Sequence, residues 1–149
     1  MIAALDPRPL AVSLLLCVAV VVANNLLGHY FAPSGILLTP LVIMALTGWL
    51  LPRHSTYSHS LLRILLLALL ICLHDAGTKL YAGGSHDAEG QGFIHLFLFL
   101  GLLPASGYIV YGLMRQRAEP VVSRVAAGLL FAAILGLYLW FSAGLGYTF

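Results

Sequence analysis

The chain has 149 residues, of which 61% are hydrophobic and 8% charged, and its formal net charge is +2. Soluble domains carry about 25% charged residues, so this composition excludes a soluble globular domain and defines an integral membrane protein whose main partner is the lipid bilayer. The basic residues are dispersed rather than interleaved with aromatics, which excludes a nucleic-acid surface. Cys17 and Cys72 lie in apolar runs without CxxC spacing, which argues against a disulfide scaffold or zinc knuckle.

Each helical span uses about 20 residues, so the chain has room for one bundle and no second domain. In chain order, Asp6, Pro7, Arg8 and Pro9 break any helix before an apolar run over residues 10–27, read as a retained first span. Its far end carries Asn24 and Asn25, with His29 just beyond. These polar groups are costly in hydrocarbon unless they find partners. A turn containing Pro33 leads to a second span over 35–51, with Pro40 near its start and Trp49 at its far interface. His54 and His59 sit beside Arg53 in the next polar turn. The third span, 58–77, has Arg63 one turn inside its start, where it can snorkel, and His74 and Asp75 at its other end.

A glycine-rich connection over 78–91 follows, longer than most helix–helix links. The fourth span, 92–114, carries Pro104 in its middle as a kink signal. The fifth, 121–143, repeats small residues at Gly128, Ala132 and Gly136, followed by Gly144. Such a stripe allows close helix approach, to another membrane protein or a second copy of this chain. The expected fold is an all-α five-transmembrane-helix bundle in a plasma (inner) membrane. With a cytoplasmic N-terminus, all six arginines fall on the inner side and the one lysine, Lys79, on the outer side, so the positive-inside rule places the C-terminus extracytoplasmic.

This orientation gathers the chemistry at the outer face. The stretch 74–95 holds His74, His86 and His95 with Asp75, Asp87 and Glu89. At about 1.5 Å per residue, His74 and His95 both lie roughly 5 Å below the same interface, level with Asn24 and Asn25. Three readings use this layer. In the first, a divalent metal (zinc, iron, manganese or calcium) is held by His74, Asp75, His86 and His95, with Asp87 and Glu89 as catalytic carboxylates, acting on a membrane-proximal or lipid-soluble substrate. In the second, the layer is an uptake site for a cation, proton or small solute in a transporter or channel. In the third, His74 and His95 are axial ligands of a b-type haem, or the protein is a non-catalytic subunit of a larger complex. Each residue also has a purely structural reading: Asp75 can pair with Lys79 at i, i+4, and a histidine near a helix end can bond a carbonyl.

Overall fold

In the computed structural model the described residues are 10–51, 60–81, 88–116 and 119–145. They form five α-helices: α1 (Leu10–Tyr30), α2 (Ser34–Leu50), α3 (Ser60–Tyr81), α4 (Ala88–Arg115) and α5 (Val121–Ser142). Four are long and apolar enough to cross a membrane. At 17 residues α2 is the exception, with a length of about 25 Å against a hydrocarbon core of about 30 Å.

Two helices run further than their hydrophobic spans suggest. α3 continues through Gly77 to Tyr81, and α4 begins at Ala88, so positions 78–81 and 88–91 of the expected connection are helical. The reason is burial: Thr78, Lys79 and Gln91 are all enclosed, and their packing outweighs the roughly 1 kcal/mol helix penalty of a glycine. Pro104 lies inside an uninterrupted α4.

α3 is the hub. It contacts all four other helices, which follow one another round it in the order α1, α2, α4, α5; α1 meets neither α4 nor α5. The core is correspondingly centred on Ile64, Leu67, Ala68 and Ile71 of α3, against Ile43 and Leu46 of α2 and Leu98 and Ala105 of α4. Outward-facing positions are apolar too, for example Leu15, Leu41, Leu103, Leu129 and Trp140. In water such a surface would drive aggregation; facing lipid it costs nothing.

Close helix approach occurs at glycines other than the expected ones. A Cβ on Gly35 would lie 2.5 Å from the Gly28 Cα, so α1 and α2 cross backbone to backbone. A Cβ on Gly101 would meet Pro40 Cα at 2.9 Å where α4 crosses α2. A Cβ at Gly136 of α5, or at Gly144 just beyond it, meets nothing, and Ala132 is exposed, so this part of the small-residue stripe faces outward, whereas a Cβ on Gly128 would lie 3.8 Å from Leu113 of α4.

Candidate functional site

The polar side chains of the 74–81 end of α3 sort by helix face. Successive helical residues are about 100° apart, so neighbours in sequence turn to different helices. His74 faces α2, where its Nε2 lies 3.2 Å from Thr39 Oγ1. The Thr39 hydroxyl also lies 3.3 Å from the Gly35 carbonyl; with its hydrogen on that carbonyl it accepts from Nε2–H, the tautomer assigned to the ring. The Nδ1 of His74 is buried and has no hydrogen-bond partner among the described residues.

Asp75 faces α5 instead. Its Oδ2 accepts from Lys79 Nζ at 2.8 Å and from the Tyr138 hydroxyl at 2.7 Å. Lys79 also donates to the backbone oxygen and the hydroxyl of Ser142, each at 3.3 Å, so all three ammonium hydrogens have acceptors. The Ser142 carbonyl belongs to the last turn of α5, where the helix dipole favours a cation, and Lys79 Nζ lies 5.6 Å from the Tyr138 ring centroid. Asp75 and Lys79 are 1% and 0% exposed. The second carboxylate oxygen, Oδ1, is buried without a hydrogen-bond partner among the described residues.

The third face of α3 meets α1. Thr78 donates to the His74 carbonyl at 3.0 Å and contacts Asn25 at 3.1 Å. The Asn25 amide rests on Gly77, where a Cβ would come within 2.1 Å of its nitrogen, so Gly77 supplies the space that lets Asn25 lie against α3. Asn24 is buried and donates to the Gly35 carbonyl at 2.9 Å. His29 is exposed and its Nδ1–H donates to the Tyr81 carbonyl at 2.9 Å, satisfying an orphan acceptor at the end of α3. On α4, the Nδ1–H of half-buried His95 donates to the Gln91 carbonyl at 2.8 Å, while Gln91 itself is fully buried.

The expected ligand set is therefore divided. His74 turns to α2, Asp75 to α5, and His95 bonds within α4; among the described residues no three His, Cys, Asp or Glu side chains are grouped to hold a metal ion. His86 and Asp87 lie outside the described residues, and Glu89 is exposed in the first turn of α4. For a haem, one nitrogen of each ring is committed, so an axial pair would have to use Nδ1 of His74 and Nε2 of His95. Reading by depth alone missed Thr39, Thr78, Gln91, Tyr138 and Ser142. A signal existed for two of them: Tyr138 and Ser142 repeat on the fifth helix the i, i+4 spacing of Asp75 and Lys79 on the third.

Fold and site together describe an α-helical membrane protein with an ion pair and a histidine–threonine pair enclosed at one end of the bundle. No family model, curated protein or solved structure matches the chain.

Proposed function

We propose that this is a five-span plasma-membrane protein, N-terminus cytoplasmic, that binds a membrane-proximal or lipid-soluble substrate at its extracytoplasmic end and handles protons there through the acid–base set on α3. The observation that carries this reading is the fully enclosed Asp75–Lys79 pair held by Tyr138 and Ser142. Buried ion pairs are poor devices for stability alone, and ionisable groups inside a membrane mark functional sites. Asp75 Oδ1 and His74 Nδ1, on different faces of α3, are buried with no hydrogen-bond partner among the described residues, and an unpaired buried polar atom is costly unless it serves a function. Glu89, exposed at the start of α4, is the proposed general acid or base at the membrane boundary.

A one-sided site fits the bundle better than a translocation path. Between Arg63 and His74 the buried positions of α3 are Ile64, Leu67, Ala68, Leu70 and Ile71, an apolar segment of about 16 Å, and the buried Thr47 hydroxyl of α2 is spent on the Ile43 carbonyl of its own helix.

The test compares wild type with the Asp75→Asn/Lys79→Met double variant, which keeps the volume and removes both charges. Mass spectrometry of small molecules co-purifying from membranes is expected to find a hydroxyl- or amine-bearing amphiphile with wild type that the double variant has lost. Identical profiles would sink the proposal. Elemental analysis of the same samples tests the metal form of the reading: a stoichiometric divalent ion lost in His74→Ala would bring His86 and Asp87 into the site as ligands, and a Soret band would bring in haem.

A further inference from the structure

At the opposite end of the bundle, α4 and α5 diverge around a groove of about 370 Å³ lined by Val110, Leu113 and Met114 of α4 and by Val121, Arg124, Val125 and Gly128 of α5. Its volume lies within the roughly 300–1,000 Å³ of small-molecule sites. The groove is apolar except for Arg124, and its walls are open to the surroundings, with Met114 73% and Val125 55% exposed. Arg124 spends one nitrogen on α4, donating to the carbonyls of Leu113 (3.3 Å) and Met114 (3.2 Å). Its Nε–H is buried with no acceptor among the described residues. A second cation, Arg115, sits at the end of α4 with its guanidinium 4.9 Å from the Tyr111 ring centroid.

We infer that this groove is a binding site for one anionic phospholipid of the surrounding leaflet. The phosphate pairs with the guanidinium of Arg124, which lines the groove, with Arg115 adding positive charge at the same depth, and an acyl chain runs down the groove over Gly128. The geometry matches a lipid in both parts. Arg124 lies one turn inside α5, at headgroup depth, and Gly128 lies about 6 Å deeper along the same helix, in the hydrocarbon. Charge complementarity selects the headgroup: Glu119, the acidic residue at this end among the described residues, is buried and turned to Ser60 of α3. The site is independent of the one proposed around Asp75.

The bare groove at Gly128 provides the clean variant. A Cβ there would make only an ordinary 3.8 Å contact with Leu113 Cδ1, so Gly128→Ala is tolerated, whereas Gly128→Leu fills the channel and leaves Arg124 in place. The experiment measures lipid retention by native mass spectrometry and thermal stability of the full chain in mild detergent, with phosphatidylglycerol or phosphatidylcholine of identical chains added. Wild type and Gly128→Ala are expected to retain one phosphatidylglycerol with a preference of about fivefold or more over phosphatidylcholine, the factor expected for one arginine at an anionic surface. Gly128→Leu loses that lipid, and Arg124→Gln loses the headgroup preference. Equal retention of both lipids by wild type, or undiminished phosphatidylglycerol retention by Gly128→Leu, overturns the assignment. So does a change from dimer to monomer in Gly128→Leu with lipid retention intact, since the occupant would then be a second copy of the chain.

Discussion

Lys79 meets Asp75 at 2.8 Å, one helical turn along α3, and both side chains are cut off from water and lipid alike. The ammonium has all its hydrogens satisfied, by Asp75 and by Ser142 on α5, while the carboxylate keeps one oxygen unspent. The pair therefore joins two helices and leaves an acceptor over. The desolvation cost of two such charges is of order several kcal/mol each, offset by their mutual attraction only because the geometry is good and the extra hydrogen bonds are present.

Breaking one partner strands the other charge. Asp75→Asn or Lys79→Met alone should lower stability by about 3–5 kcal/mol, and the double variant should recover most of that loss. Denaturant titration of purified protein in mild detergent measures all three. A double variant no more stable than the singles would mean that the side chains matter separately, and not as a pair.

Thr39 is the one described partner of the His74 ring. Thr39→Val removes the acceptor for Nε2–H and leaves both ring nitrogens unpaired in a fully buried residue, at a cost of about 1–3 kcal/mol. Thr39→Ser restores the oxygen and should regain most of that. If Val and Ser variants unfold together, the loss belongs to packing against α2 and the assigned tautomer of His74 has no support.

How much of this was legible beforehand follows from helix geometry. Depth can be counted from a sequence, and it correctly put Asn24, Asn25, His74 and Asp75 at one end. Azimuth cannot be counted without knowing which helix stands on which side. His74 and Asp75 are adjacent in sequence yet face α2 and α5, so equal depth did not make them a joint ligand set. The i, i+4 pairing of Asp75 with Lys79 was readable because both partners share a helix; their α5 partners stand 63 positions away and depend on α3 packing beside α5. The small-residue stripe shows the same limit of azimuth. Ala132 and Gly136 lie on a face that α5 turns outward and Gly128 faces Leu113 of α4, while the close crossings within the chain are made by Gly28, Gly35 and Gly101.

Those crossings give a contrast in sign between two similar substitutions. Gly35→Ala forces a methyl against the Gly28 backbone, which cannot rotate aside, and should destabilise by about 1–3 kcal/mol. Gly136→Ala adds a methyl into open space within a helix and should be neutral or stabilising by up to about 1 kcal/mol. Thermal unfolding of the two variants side by side checks the crossing. Equal effects would place the contact between α1 and α2 elsewhere.

The far end of the α3–α5 seam has its own fastening. Glu119, just before α5, accepts the backbone N–H of Ser60 at 2.9 Å and also the Ser60 hydroxyl, so a carboxylate leading into one helix caps the buried donors that open the other. Glu119→Ala removes both bonds and the favourable charge at the N-terminus of α3, and should cost about 1–2 kcal/mol; Ser60→Ala keeps the backbone bond and should cost less. Tyr138→Phe loosens the opposite end by deleting the hydrogen bond to Asp75, a loss of about 1.5–3 kcal/mol for a bond to a charged acceptor. Ser60 and Asp75 are about 22 Å apart along α3, and groups that far apart with no shared partner act independently. Glu119→Ala combined with Tyr138→Phe should therefore add to within about 0.5 kcal/mol. A coupling much larger than that would mean that the seam opens as one unit, and that a substrate at the Asp75 end would be felt at the Glu119 end as well.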